Sequence, residues 1–149
     1  MTTETKIPAK RSLPETRQAL THPFDIAGHK GHITVGLYPD GTPGELFITM
    51  VNEGSTIGGL VDSIASITSL SLQYGVPLEE LINKMAGQRF EPSGFTKNPE
   101  ISNTSSITDY VFRWLKKEFI PNCPSCGQTM VKNETYFKCT NCGESAGGS

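Results

Sequence analysis

A short β-hairpin is predicted in the first third of the chain, where apolar and polar residues alternate. Ile33, Val35 and Leu37 are separated by small or polar neighbours, and a period of two is what a half-buried strand requires. The next segment, 39–43, reads PDGTP, in which proline fixes φ and glycine adopts a positive φ at little cost. Residues 46–51 (LFITMV) form the returning strand.

The longest predicted helix follows the hairpin and shows the three-to-four spacing of an amphipathic helix. Ser55 or Thr56 can cap its first turn, and Gly75 ends it. Its apolar positions are Ile57, Leu60, Val61, Ile64, Ile67, Leu70 and Tyr74. We expect these positions to form one stripe that is buried in the core.

Two shorter helices are predicted further along the chain. Pro77 suits the first turn of the second helix, because its missing N–H would be unpaired there. Two glutamates in the same turn interact favourably with the helix dipole. A capping box, Ser106-x-x-Asp109, begins the third helix, which ends near Phe119.

The segment between these two helices, 86–105, is rich in Gly, Pro, Ser, Asn and Thr. It also contains Phe90 and Phe95, which a purely flexible linker rarely carries. We therefore predict a long ordered loop that both phenylalanines anchor to the core.

These elements together predict an α+β fold, in which a small antiparallel sheet is packed with helices and followed by a C-terminal four-cysteine zinc ribbon. We divide the chain into a flexible tail at 1–10, an α+β domain at 11–120 and the zinc ribbon at 121–149. The tail is assigned because it lacks hydrophobic periodicity.

Charge and composition leave several classes of protein without support. A formal charge of -2 at pH 7 and an isoelectric point near 5.9 give no basic footprint for sequence-independent binding to phosphates. The N-terminus has no apolar core of a signal peptide, and no apolar run approaches the ~18 residues of a membrane span. All four cysteines lie between 123 and 142, so they describe one local site and not a disulfide framework. We expect a cytoplasmic protein with no membrane contact.

The four cysteines form the most specific pattern in the sequence. Cys123, Cys126, Cys139 and Cys142 make two C-x2-C pairs, each followed directly by a glycine. Two thiolates two residues apart reach one tetrahedral ion when the backbone turns sharply after the second, and glycine permits that turn. We predict that these cysteines bind Zn2+, and that the metal folds a segment too short to bury a core of its own.

Two other functions of the ribbon stay open. Cys139 and Cys142 could exchange electrons with another disulfide as a C-x-x-C pair, although thiolates held by zinc are poor shuttles. The ribbon could also bind nucleic acid, but two glutamates offset its two lysines and four thiolates on Zn2+ add a formal charge of about -2. Nucleic acid is therefore not the expected partner.

Two further motifs have a structural interpretation that we favour. The segment 53–59 (EGSTIGG) could cradle a phosphate before a helix, but it lacks the lysine of a P-loop. A tight connection in which Gly58 and Gly59 allow close packing is favoured. His29 and His32 could ligate a metal, but the sequence places no third ligand or partner carboxylate beside them, so a turn-stabilising role is favoured.

Several longer phrases resemble the C-terminal region of class II, adenosylcobalamin-dependent ribonucleotide reductases. They are ITVGLY (33–38), GTPGELFI (41–48), EGST (53–56), GGLVDS (58–63), QYGVPL (73–78) and RFEPSGFT (89–96). These phrases cover most of the chain. The cysteine pairs belong to the same resemblance, since tails of that family end in pairs of this kind.

The resemblance implies a part of a reductase and not the part that does the chemistry. In that family a thiyl radical made with the cobalamin cofactor reduces the ribonucleotide inside a ten-stranded barrel, and C-terminal cysteines are thought to re-reduce the active-site disulfide. This chain has no cysteine before Cys123, so the resemblance implies no catalytic residue here and no adenosylcobalamin bound by this chain itself. Family tails commonly end with a further cysteine where Gly147-Gly148-Ser149 stands, which favours a scaffold over a shuttle.

We therefore expect an accessory or binding module that is non-catalytic alone and docks on a protein partner. Either the chain is the small part of a split B12-dependent ribonucleoside-diphosphate reductase, which acts in deoxyribonucleotide synthesis, and its partner is the large chain, or it is a stand-alone relative that docks on another assembly. The alternative is an independent zinc-ribbon protein that binds nucleic acid or a polymerase-type assembly.

Overall fold

The computed structural model describes residues 8–128, 130–133 and 136–147 and confirms the α+β fold. A three-stranded antiparallel sheet is formed by β1 (Ala19–Ile26), β2 (His29–Leu37) and β3 (Pro43–Met50), in that order. The helices are α1 (Ser55–Gln73), α2 (Leu78–Met85) and α3 (Ile107–Phe119). A two-residue pair of strands, β4 (Gly94–Phe95) and β5 (Asn103–Thr104), lies in the loop between α2 and α3. The ribbon contains β6 (Val131–Asn133), β7 (Tyr136–Lys138) and β8 (Ser145–Gly147).

The predicted hairpin is present, and its apolar residues face the core. Ile33 pairs with Ile48, and Val35 pairs with Leu46, and all four side chains are buried. Strand β1, which the sequence pattern did not predict, pairs with β2 along its whole length. The sheet therefore has one strand more than the hairpin.

The α+β domain at 11–120 is called the body below. Its core lies between the sheet and the helices, and α3 is its most buried helix. Tyr110 and Phe112 of α3 are fully buried, and Trp114 is nearly so. They belong to one cluster with the inner face of the sheet and with α1 and α2. A helix with so little exposed surface holds the body together mainly through apolar burial.

The helix α1 is confirmed, but its predicted buried stripe is only partly correct. Ile57 and Ile64 pack against the core as predicted. Its buried positions are Val61, Ala65 and Thr68, whereas the outward-facing positions include Leu60, Ile67 and Leu70. The helix packs along β3, and the Ser69 hydroxyl accepts the N–H of Leu46 at 2.8 Å. The Gln73 side chain donates to the C=O of Gly44 at 3.0 Å. Helix α1 therefore covers the outer edge of β3 with its polar side chains.

The helix ends agree only in part with the predicted caps. Gly54 is the N-cap of α1 and makes no side-chain cap bond, so the proposed cap by Ser55 or Thr56 is wrong. Gly75 follows the end of α1 with a φ of 91°, as predicted for a helix stop. The Ser106 hydroxyl accepts the N–H of Asp109 at 2.9 Å, which confirms the cap of α3.

The loop at 86–105 is ordered, but its phenylalanines do not anchor it. Phe90 and Phe95 are both exposed, so that prediction is wrong. The carboxylate of Asp109 holds the loop instead, because it accepts the N–H of Gly87 at 2.7 Å and the hydroxyl of Thr104 at 2.7 Å. The loop also bonds to the outer edge of β1, where the N–H of Ala27 donates to the C=O of Phe95 at 2.8 Å.

The chain joins the body at Arg11, whose N–H donates to the C=O of Gln73 at 2.8 Å. The guanidinium of Arg11 lies 3.7 Å from the ring centre of Tyr38. Residues 8–10 of the predicted tail are exposed and have no regular structure, and residues 1–7 lie outside the described part. Within the described ranges, no helix combines the length and the apolar character needed to cross a bilayer.

Candidate metal centre

The two cysteine pairs sit in turns that share one backbone geometry. In each turn the N–H of the glycine donates to the C=O of the first cysteine at 2.9 Å. The N–H of that cysteine donates to the C=O of the residue after the glycine, at 2.6 Å in the first turn and 2.7 Å in the second. Gly127 and Gly143 have φ values of 78° and 81°, which an L side chain resists. The sequence pattern C-x2-C-G thus directs two equivalent loops toward each other.

The four sulfur atoms surround a common point. The Sγ atoms of Cys123 and Cys142 are 3.6 Å apart, those of Cys126 and Cys139 are 3.4 Å apart, and all four lie within 4.8 Å of one another. Sulfurs placed about 2.3 Å from the centre of a tetrahedron would be separated by roughly 3.8 Å. The shortest distances join different turns, and the structure therefore brings together all four cysteines that the sequence singled out. Such a group could bind one metal ion.

The thiols perturb each other strongly at this spacing. A backbone hydrogen bond at Gln128, with help from Asn141 and Cys139, lowers the pKa of the Cys126 thiol to about 6. A backbone hydrogen bond at Glu144 acts to lower the pKa of Cys142, but the three neighbouring thiols and burial raise it to about 12. The two shifts run in opposite directions because the four sulfur atoms lie so close together. A cation among the thiolates would offset their mutual repulsion.

The ribbon residues whose burial is described form a small cluster. In its described part the buried residues are Cys123, Met130 and Cys139, with Phe137 packed against them. Strands β6, β7 and β8 form a small antiparallel sheet. Two of the three buried residues are candidate ligands, so the proposed metal site and the core of the ribbon are the same place.

The other candidate sites are not assembled by the fold. His29 pairs through Nδ1 with the carboxylate of Glu53, so the expectation that no partner carboxylate is near was wrong. Among the described residues, no further group of three His, Cys, Asp or Glu side chains is placed to hold an ion. A Cβ placed on Gly58 or Gly59 would meet nothing within 4 Å, so the predicted close packing of these glycines is also wrong.

A polar cluster inside the body was missed by the sequence analysis. His22 Nε2 and Tyr110 Oη are 2.8 Å apart, and the Asn98 side chain donates to the same oxygen at 3.1 Å. The ring of His22 stacks on that of Trp114 at 5.0 Å. Burial lowers the pKa of His22 and raises that of Tyr110. No spacing in the sequence connects these residues, because they come from three separate elements.

Three comparisons with known proteins bear on the identity of the chain. The TSCPD domain family matches residues 5–119, which end where α3 ends. The vitamin B12-dependent ribonucleotide reductase of Rhodopirellula baltica is 56% identical over 113 residues, which are 76% of this chain and 11% of that protein. The protein of the same name from Streptantibioticus cattleyicolor is 41% identical over 114 residues, 76% of this chain and 19% of the relative.

A third relative of that name, from Agrobacterium fabrum, is 40% identical over 112 residues, which are 74% of this chain and 9% of that protein. The chain thus spans less than a fifth of the length of each of these relatives. No solved structure matches the chain significantly. Since the family match covers about three quarters of the sequence, the chain belongs to the TSCPD domain family, a domain that vitamin B12-dependent ribonucleotide reductases contain.

Proposed function

We propose that these 149 residues are an accessory module of a vitamin B12-dependent ribonucleotide reductase, that they are non-catalytic alone, and that they act in the cytoplasm beside a separate catalytic chain. The observation that carries this proposal is the 56% identity to one segment of a much longer reductase. The match extends over 113 residues, which is 76% of the chain. The reaction in which the module takes part would be the reduction of ribonucleoside diphosphates for DNA synthesis.

The residues present support an accessory role over a catalytic one. Cysteine is absent before Cys123, so no thiol lies within the body. The described core is filled by apolar side chains, which leaves adenosylcobalamin no chamber there. The cofactor and the radical chemistry therefore belong to the partner protein under this proposal.

Zn2+ is the metal that we propose for the four-cysteine site. An all-thiolate set of four with sulfurs at these distances suits zinc better than hard, oxygen-seeking cations. Cys123, Cys126, Cys139 and Cys142 would hold the ion, which would supply a fixed cross-link between the two turns. Because all four ligand positions are filled by protein, the site is closed and its role is structural. Redox exchange through Cys139 and Cys142 is the alternative.

Domain replacement in a full-length reductase tests the proposed function. The segment of the Rhodopirellula baltica reductase that matches this chain would be replaced by residues 5–119, and B12-dependent ribonucleotide reduction would be measured. We expect the hybrid to retain most of the activity of its parent and a version with the segment deleted to lose it. A well-folded hybrid without activity would contradict the proposal.

Nucleic-acid binding tests the alternative function, an independent zinc-ribbon protein. A fluorescence titration with single-stranded and duplex DNA at physiological salt should show only weak binding. The chain carries a net charge of -2, so it would release few counterions from the DNA. Submicromolar, salt-sensitive affinity would instead favour the independent zinc-ribbon protein.

A further inference from the structure

The outer face of α1 is apolar although it faces solvent. Leu60, Ile67 and Leu70 are 61%, 66% and 50% exposed, and Phe47 of the neighbouring strand β3 is 51% exposed. Single exposed apolar residues are ordinary on a protein surface, but four on adjacent elements form a patch of the kind that marks an interaction site. The seven-residue spacing of Leu60 and Ile67 places them on the same side of the helix.

The rest of this face is small and almost uncharged. Asp62 is the one charged residue in the 19 residues of α1, and the exposed positions between the apolar side chains include Gly59, Ser63 and Ser66. A solvated helix normally carries several charges on its outer side. Small side chains instead let another backbone approach closely, which suits a face that a protein partner covers.

A groove lies between helix α1 and strand β3. Phe47, Asp62, Ser66 and Leu70 are among the residues that line it. The groove has a volume of about 520 Å³ and is open to solvent. Within the described residues Asp62 forms no ion pair, whereas Glu45, which also lines the groove, is paired with Arg17 at 2.6 Å. A basic side chain of a partner would therefore find a carboxylate without an ion pair in a groove that Phe47 and Leu70 also line.

The charge of this face argues against a second copy of this chain as the partner. Asp62 is the one charged residue of α1, so the same face of a second copy would offer it no cation. A carboxylate that is buried at an interface without a cation is unfavourable. By contrast, each of the relatives described above carries the matching segment as less than a fifth of its length, so a large protein body accompanies the domain there.

We infer that this surface, formed by Phe47, Leu60, Asp62, Ile67 and Leu70, packs against the catalytic body of the reductase, through an apolar segment that places a lysine or arginine opposite Asp62. The inference rests on the proposed function and adds the location and chemistry of the contact. The neutral, small-residue helix face provides close packing, and the single carboxylate provides orientation.

Hydroxyl-radical footprinting of side chains tests the inference without any substitution. The full chain and the Rhodopirellula baltica hybrid would be oxidised under the same conditions, and the modification of each residue would be compared by mass spectrometry. Phe47, Leu60, Ile67 and Leu70 should be modified several-fold less in the hybrid. Phe95, which is 77% exposed on the loop beside the opposite edge of the sheet, should be modified equally in both and is the internal control.

Matched substitutions sharpen the test. Ile67→Glu in the hybrid should restore oxidation of Leu60 and Leu70 and weaken activity by about tenfold or more, as expected when an interface anchor is lost. Phe95→Glu should leave the activity of the hybrid and the oxidation of Leu60 and Leu70 unchanged. Neither substitution should lower the unfolding temperature of the full chain, because both side chains are exposed.

Each outcome bears on a different claim. An active hybrid in which the four residues are oxidised as fast as in the chain alone would overturn the inference and leave the proposed function standing. Protection that grows with the concentration of the full chain alone would identify a second copy as the occupant and would also overturn it. A folded but inactive hybrid would contradict the proposed function, and the inference would fall with it.

Discussion

The body and the ribbon are built on opposite principles within one short chain. The body buries an extensive apolar cluster that includes Tyr110, Phe112 and Trp114. The described part of the ribbon buries Met130 and two candidate metal ligands. Burial of apolar surface contributes roughly 25 cal/mol per Å², and within the described residues most of that burial lies in the body. Under the proposed zinc site, the body and the ribbon would therefore be stabilised by different means.

The sharpest way to break this comparison is to remove one ligand. Cys139→Ser should abolish stoichiometric zinc binding and unfold residues 121–147, because a structural site loses metal-binding energy on the order of 10 kcal/mol. The body should remain folded. Metal analysis would give the zinc content, and amide NMR would report the two regions separately, with the exposed Ser125→Ala as the matched control in the first turn.

The redox alternative predicts a different result for the same variant. If Cys139 and Cys142 exchange electrons, Cys139→Ser should stop reduction by thioredoxin while the ribbon stays folded. Substoichiometric zinc together with a stable, reversible disulfide in either C-x2-C pair would contradict the structural role.

The converse experiment destabilises the body and leaves the candidate metal site unchanged. Phe112→Ala removes a fully buried ring and should lower the free energy of unfolding of the body by about 3–5 kcal/mol. Zinc content should stay at one equivalent. Chemical denaturation followed by the fluorescence of Trp114 would measure the loss, and an unchanged midpoint would mean that the core is not what stabilises the body.

A smaller effect is expected at the carboxylate that organises the loop. Asp109→Asn replaces one acceptor oxygen of the side chain by a donor. Some of the groups that donate to Asp109 would then lack an acceptor; they are Gly87, Thr104, Ser105 and Arg113. We expect a loss of about 2–4 kcal/mol in the free energy of unfolding, with no change in zinc content. Equal stability of variant and parent at pH 7 would rule out this role.

Protonation of the same carboxylate should lower the stability of the body at acid pH. Burial raises the pKa of Asp109, but the hydrogen bonds from Thr104, Gly87, Ser105 and Arg113 outweigh it and hold the pKa below its ordinary value of 3.8. A depressed pKa contributes stability that is present above about pH 4 and lost as the pH falls through the folded-state value. Denaturation at a series of pH values should show this loss in the parent and not in Asp109→Asn.

The smallest expected effect concerns His22. Burial lowers its pKa below the ordinary 6.5, so folding favours the neutral ring. Stability is then fully present above about pH 6.5 and declines as the pH falls toward the folded-state pKa. Denaturation between pH 7.5 and 5 should show this decline in the parent, whereas His22→Gln should flatten it. An unchanged slope in the variant would assign the decline to another group.

The sequence could predict local elements better than the faces they bury. The period of α1 correctly indicated a helix, but its apolar residues cover two sides, and only contact with β3 decides that Val61 and Ala65 face inward. Periodicity cannot rank two apolar faces when the partner surface is unknown. Similarly, Phe95 is apolar but exposed, because Asp109 already holds the loop through backbone bonds that composition does not reveal.

Strand β1 was missed for a related reason. Pro23 and Asp25 interrupt the run from Ala19 to Ile26, and proline inside a strand is tolerated mainly at a sheet edge, which is where β1 lies. The grouping of the four cysteines, in contrast, followed from spacing alone, since two C-x2-C-G turns have few ways to arrange four sulfurs. Short-range chemistry was therefore predictable, and contacts between distant segments were not.

The covering of both outer strands has a consequence for how the domain behaves away from a partner. Side chains of α1 occupy backbone groups of β3 at Gly44 and Leu46, and the loop at 95–97 bonds to the end of β1. Unpaired strand edges recruit strands from other molecules and begin aggregation. The bonds at these positions, together with Pro23 in the outer strand, oppose such pairing at both edges of the sheet.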